Sequence, residues 1–205
     1  VATGTVPAQH IIAADQSVTA LATDPAAGVL FGGTGADRGN KGDDASRLPG
    51  VSIFRRDLAT GQLTTRALAG RYYVWGVATS GSPARLLALV SGERHGGKRA
   101  FRLVDLDPVT LTIRQEVGLG DHGWGSLGAL PGAGAAGALV LRPADDITAL
   151  ALSNLVPGAT TGTPGLLTQV VRGWSPVVLG DGTWVYVRGT DLYAVQPRLP
   201  FLTGG

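Results

Sequence analysis

The chain has 205 residues, of which 44% are hydrophobic and 16% charged, and its 17 basic side chains nearly balance 15 acidic ones. This length suits a single domain, and no apolar run approaches the length of a membrane span. The arginines are scattered along the chain, so we expect neither membrane insertion nor a nucleic-acid partner. Because there is no cysteine, disulfides, thiolate metal sites and cysteine nucleophiles are excluded.

The 32 glycines are spread among short apolar runs, which predicts many tight turns joined by short strands. We therefore expect an all-β fold. The sequence begins at Val1 with a small, polar lead-in and contains no methionine, as is typical of a processed product. This indicates a secreted or otherwise extracytoplasmic protein.

The first strand patterns lie near the N-terminus. Residues 5–14 have the pattern of the outermost strand of a unit, and residues 18–33 that of the first two strands of the next. The most polar stretch of the chain follows.

That stretch, residues 35–47, offers the carboxylates of Asp37, Asp43 and Asp44 as oxygen ligands. Their spacing is not that of a known calcium loop, and the neighbouring basic residues oppose a cation. We predict no metal site, with these three aspartates as the candidates if one exists. The segment is then a solvated insertion, a lid or a partner-contacting loop.

Two hairpin patterns recur about 50 residues apart. VSIFRRDLATGQLTTRALAG ends at Gly70 and FRLVDLDPVTLTIRQEVGLG ends at Gly120, with Asp57 and Asp107 at the same place in the two turns. Each copy reads as strand, Asp-bearing turn and strand. A looser third copy ends at Gly173.

A tryptophan-bearing strand follows each closing glycine, in RYYVWGVATS, DHGWGSLGAL and WSPVVLGDG. Four short strands in about 50 residues is the size of a β-propeller blade. We predict one domain, 1–205, folded as a small propeller of about four blades of four antiparallel strands, with the N-terminal strand closing the ring. A β-sandwich is the alternative, which the tryptophans in register disfavour. The predicted units are 18–70, 71–120, 121–173, and 174–205 together with 5–14.

The turn RDLATGQL, and in part VDLDPVTL, resembles the bacterial propeller repeats of the YVTN, NHL and quinoprotein-like type, in which D…TG recurs at a hairpin turn. As architecture, the resemblance covers nearly the whole chain, and it implies a propeller fold. It implies no particular activity, because propellers host lectins, lyases, hydrolases and docking platforms alike.

Three segments resemble known site motifs, but each differs from its motif at a required residue or in the element that follows. GERHGGKR has phosphate-loop spacing, but Arg99 replaces the magnesium-binding hydroxyl and a strand pattern follows. WGSLG lacks the first glycine of a nucleophile elbow, and no histidine follows it. FGGTGADRG has Arg38 in place of the third glycine of a dinucleotide fingerprint. We therefore predict no bound cofactor.

The candidate site is the mouth of the propeller, because residues just before each first strand lie there. Trp75, Trp124 and Trp174 would form a partial ring with Tyr73 and His122 nearby, and such a surface suits stacking on sugar rings. The alternative is structural, with the indole rings wedged between neighbouring blades.

The expected function is binding rather than catalysis, with a glycan or a protein as the ligand. The rival is a propeller-type lyase or hydrolase that uses His122 as a base with Asp121 and Asp181 as partners, since both carboxylates lie near unit starts. A third interpretation is a structural portion of a larger protein.

Overall fold

The computed structural model describes residues 12, 16–36, 50–80, 85–95, 98–120, 127–129, 138–141, 146–151, 167–172, 174–179 and 183–196. All the regular secondary structure in these ranges is β, which confirms the predicted fold class. Within the same ranges, no helix is long and apolar enough to span a membrane.

The strands of the described residues are short and follow one another closely. They are β1 Gln16–Asp24, β2 Val29–Ala36, β3 Val51–Asp57, β4 Leu63–Leu68, β5 Tyr73–Ser80, β6 Arg85–His95, β7 Lys98–Leu106, β8 Ile113–Gly120, β9 Leu127–Ala129, β10 Ala138–Leu141, β11 Asp146–Ala151, β12 Leu167–Arg172, β13 Trp174–Val178, β14 Trp184–Arg188 and β15 Asp191–Val195.

The strands pair antiparallel with their neighbours in sequence, so they form successive meanders. We call β1–β4, β5–β8, β9–β12 and β13–β15 the first, second, third and fourth units. The first two units share one curled sheet, because Gly35 at the end of β2 pairs with Tyr73 at the start of β5. The third and fourth units are separate sheets of four and three strands.

The first strands of successive units contact each other: β1 contacts β5, β5 contacts β9, and β9 contacts β13. The fourth unit has three described strands, and β15 is the last in its sheet. Of residues 5–14, which the sequence assigns to the fourth strand of this unit, only Ile12 is described, and it lies in no strand.

Two apolar clusters lie on opposite faces of the second unit. Along β6, Leu86 and Ala88 belong to the first cluster, while Leu87 and Leu89 belong to the second. Successive side chains of a strand point to opposite faces, so a continuous apolar run such as LLALV indicates burial on both sides. Each of these leucines is fully buried, which stabilises the fold by about 1.5–3 kcal/mol per side chain.

The first cluster joins the first and second units, and the second cluster extends from the second unit towards the third. The first cluster contains Val29, Phe31, Val51, Ile53, Leu68, Val74, Val77, Leu86, Ala88, Val90, Val104, Leu106 and Leu111. The second contains Ala78, Leu87, Leu89, Phe101, Leu103, Val117 and Leu119, with Trp75 and Leu127 packed against it.

Both predicted hairpins are present, and their turns share one hydrogen-bond pattern. Asp57 Oδ1 accepts hydrogen bonds from the backbone N–H groups of Ala59 (3.0 Å) and Thr60 (2.8 Å). The backbone N–H of Gly61 then donates to the carbonyl of Asp57. The aspartate therefore fixes the turn by satisfying its amides, as Asp and Asn commonly do.

The second turn repeats this arrangement around Asp107, whose Oδ1 accepts from the N–H groups of Val109 (2.9 Å) and Thr110 (2.8 Å). Leu111 takes the place of Gly61 and has the same left-handed backbone, with φ 58° against 73°. A non-glycine residue pays a steric cost there. The buried side chain of Leu111 offsets it by packing in the first cluster.

The glycines of FGGTG, which resembled a dinucleotide fingerprint, have a packing role in β2. A Cβ on Gly33 would lie 2.3 Å from Val74 Cγ1, and one on Gly35 would lie 2.4 Å from the Tyr73 ring. On the other face, a Cβ on Gly32 would lie 2.2 Å from the ring of Phe54. The motif is therefore explained by close side-chain approach, not by a nucleotide.

Candidate functional site

One end of the curled sheet carries the candidate site, because the register brings the start of β5 beside two loops. Tyr73 pairs with Gly35 of β2, which is the first residue of the polar stretch 35–47. Tyr73 also pairs with Ser91 of β6, which runs on to the connection with β7. The Asp57 and Asp107 turns lie at the opposite end of their strands. We call the first of these ends the loop end.

Two aromatic rings lie together at the loop end. The ring centroids of Tyr73 and Trp75 are 4.6 Å apart, with an angle of 46° between the ring planes. Both side chains are half-buried, and the Tyr73 ring lies against Gly35, where no side chain intervenes. The pair therefore offers a tilted aromatic surface that is partly accessible to solvent.

Residues of the second unit fix the position of the Trp75 side chain. It occupies a bulge in β5, because the register shifts between Val74 and Gly76. Its Nε1 donates a hydrogen bond to the buried Ser91 Oγ at 3.0 Å, and its ring lies 6.0 Å from that of Phe101. The indole also packs against the second apolar cluster. These contacts support the structural interpretation of Trp75, and its position leaves part of the ring available to a ligand.

The counterpart of Trp75 in the first unit is Thr19, which the spacing of the tryptophans does not reveal. VTALATD in β1 aligns with VWGVATS in β5, and both strands have a register shift at the aligned position. Thr19 Oγ1 donates to the carbonyl of Val74 at 2.6 Å, which ties the first strands of two units together. The two strand sequences align, but the tryptophan repeat does not include the first unit because threonine occupies that position.

The second unit also carries a cluster of ion pairs. Arg71, two residues before Tyr73, donates from Nη2 to Glu116 Oε2 at 2.6 Å, and Arg102 reaches the same oxygen at 3.4 Å. One carboxylate is thus shared by two guanidinium groups. Arg102 is adjacent to Phe101 in β7, so its side chain leaves the opposite face of the strand from the ring that contacts Trp75.

The structure does not describe the side chains of the remaining predicted site residues. Trp174 begins β13, and only its backbone is described. The others lie outside the described residues: Trp124, His122, Asp121, Asp181, Asp37, Asp43 and Asp44. Among the described ranges, no three His, Asp or Glu side chains are grouped as metal ligands.

The two aspartates with lowered pKa values are structural. Hydrogen bonds from the backbone and side chain of Thr60 lower the pKa of Asp57. Hydrogen bonds from the N–H groups of Thr110 and Val109, followed by Arg114, lower the pKa of Asp107 to about 2. Both groups lie at the turn end of their hairpins, so their negative charge stabilises the turns.

Comparison of the chain with protein-family models and with curated proteins finds no match.

Proposed function

We propose that this protein is an extracytoplasmic binding module that recognises a glycan, or a protein surface, at the loop end. The observation that carries the proposal is the half-buried Tyr73–Trp75 pair beside Gly35, where the polar stretch 35–47 begins. Trp124, Trp174 and His122 belong to the same proposed site through the repeat alignment of the sequence.

A glycan is the preferred ligand on chemical grounds. The apolar face of a sugar ring packs on flat aromatic side chains, and each such contact is worth about 1 kcal/mol. Polar groups around such rings would supply the hydrogen bonds to the sugar hydroxyls, because aromatic packing combined with a few polar groups is the usual composition of a ligand site.

For the architecture we propose a closed ring of four blades. Support comes from the repeated four-stranded meanders, from the two apolar clusters that flank the second unit, and from the contacts between successive first strands. In this arrangement residues 5–14 add the fourth strand to the last unit. A closed ring also removes exposed sheet edges.

The test is a glycan-array screen followed by titration of each hit, monitored by tryptophan fluorescence. We expect Tyr73→Ala to weaken binding about fivefold, since it removes one of the two rings that would contact the sugar and about 1 kcal/mol corresponds to a factor of about five. Val109→Ala is the matched control, because it truncates an exposed apolar side chain of the same unit at the opposite end.

Equal loss of binding in both variants would contradict a site at the loop end. An array without hits would remove the glycan proposal and favour a protein ligand. If the protein instead turned over a glycan, with activity lost on His122→Ala, the lyase or hydrolase alternative would replace the binding module.

A further inference from the structure

The fourth unit carries a second aromatic pair, which the proposed site at the loop end does not include. Tyr186 in β14 and Tyr193 in β15 lie opposite each other, because they are partners in the antiparallel register. Their ring centroids are 5.6 Å apart and the ring planes differ by 17°, so the rings are stacked. Each ring therefore fixes the orientation of the other.

This pair lies where the surface of the fourth unit changes from buried to exposed. Trp184, two residues before Tyr186 on the same face, is fully buried, whereas Tyr193 is 41% exposed. Beyond the pair, Arg188 and Asp191 are both exposed and close the ladder at the hairpin tip. Their register places them on the same face as the two rings. We call Tyr186, Tyr193, Arg188 and Asp191 the tyrosine face.

The charged groups of the tyrosine face have no protein partner among the described residues. Arg188 and Asp191 are paired across the ladder, but no hydrogen bond or ion pair of the described residues involves either side chain. The ion pairs of the second unit, in contrast, engage four arginines, which are Arg71, Arg85, Arg102 and Arg114. The donors of Arg188 and the acceptor oxygens of Asp191 are therefore available to a ligand.

Two opposite charges beside stacked aromatic rings suit a neutral sugar residue. The C–H face of a sugar ring packs on an aromatic side chain. A guanidinium donates hydrogen bonds to hydroxyl oxygens, and a carboxylate accepts them from hydroxyl groups. An acidic sugar is repelled by Asp191 and a cationic sugar by Arg188. The chemistry of this face therefore favours an uncharged glycan.

We propose that the tyrosine face is a second glycan-binding surface, which holds a neutral sugar residue against Tyr193 with its hydroxyl groups bound to Arg188 and Asp191. The inference rests on the proposed glycan-binding function but assigns the contact to a different unit. It uses the exposures that the structure shows, so it does not depend on the proposed ring. The tip of this hairpin has the place in its meander that the β6–β7 connection, at the loop end, has in the second unit.

The test is calorimetric titration of the full chain with cellohexaose, maltohexaose and chitohexaose, which are neutral, and with hexagalacturonate, which is acidic. We expect Tyr193→Ala to weaken the binding of at least one neutral glycan about fivefold, which corresponds to about 1 kcal/mol. Tyr193→Phe keeps the ring, so it should change that affinity by less than about twofold. Leu192→Ala is the matched control, because Leu192 is 73% exposed on the opposite face of the same strand.

The outcomes separate this inference from the proposed site at the loop end. Weaker binding in Tyr193→Ala supports the inference whether or not Tyr73→Ala also weakens it. Weaker binding in Tyr73→Ala alone overturns the inference and leaves the proposed function in place. Equal losses in Tyr193→Ala and Leu192→Ala, or no binding of any neutral hexasaccharide, would also overturn the inference.

A change of charge tests the preference for a neutral sugar. Asp191→Asn leaves Arg188 without an opposing charge, so we expect hexagalacturonate to bind this variant at least about threefold more tightly than it binds the unchanged protein. Added salt should reduce the gain, because it screens exposed charges. Arg188→Gln is the companion variant, in which no gain is expected. Equal affinities of the unchanged protein and Asp191→Asn for hexagalacturonate would overturn the role of this pair.

Discussion

At the scale of single residues, the paired Asp turns show how one backbone geometry is reached with different side chains. Gly61 adopts its left-handed conformation without a side chain to strain, and no atom lies within 4 Å of the position of its missing Cβ. Leu111 adopts almost the same conformation with a fully buried side chain. Burial therefore outweighs backbone strain at the second turn.

Leu111→Gly should be destabilising even though it relieves the left-handed strain. The relief is worth about 1–2 kcal/mol, whereas emptying a buried leucine site costs about 3–5 kcal/mol. We expect a net loss of about 1–4 kcal/mol in the free energy of unfolding, measured by urea denaturation. Gly61→Ala is the companion variant, with a loss of about 1 kcal/mol from the backbone alone. A more stable Leu111→Gly variant would show that the packing of Leu111 contributes little.

The same turns make the stability of the fold depend on pH in the acid range. Because the folded pKa values of Asp57 and Asp107 lie below the usual value of 3.8, both carboxylates stabilise the fold above that pH. The contribution of Asp107 is lost as the pH falls from 3.8 to about 2. We expect Asp107→Asn to flatten the fall in melting temperature over this range, measured by circular dichroism. A fall as steep as in the unchanged protein would assign the acid sensitivity to other carboxylates.

At the scale of elements, β2 shows why a local pattern can be misread. FGGTG resembles part of a dinucleotide fingerprint in sequence. Its glycines are required for packing, because side chains from other strands occupy the space that a Cβ would need. Those neighbours are up to about 40 residues away in the chain, so no local window contains the reason. The hairpins were predictable because their determinants, Asp57 and Asp107, lie within the turns themselves.

Gly33→Ala tests the close approach of the first two units. The new Cβ would overlap the Val74 side chain, so we expect a loss of about 1–3 kcal/mol in the free energy of unfolding. Val74→Ala removes the overlapping atoms, and the double variant should therefore be less destabilised than the sum of the two single variants by about 1 kcal/mol. Strictly additive losses would indicate that the units move apart instead.

At the scale of the whole molecule, the fold class followed from composition because many glycines between short apolar runs force turns. The repeat was visible because Trp75, Trp124 and Trp174 recur in register. The candidate site was predictable only in part. Tyr73 and Trp75 were named from their crowding, but Thr19 and Ser91 were not, since their roles depend on neighbours in other strands.

The burial of the second unit on both faces sets a hierarchy of local stability. If the contact that would close the proposed ring opens, the first and fourth units each keep one packed face, whereas the second unit keeps both. Partial opening of the molecule therefore starts at the first or fourth unit, while β6 and β7 exchange their amide protons last. The loop end includes residues of the first two units. A ligand bound there would therefore link the first unit, which opens more readily, to the second unit, which opens last.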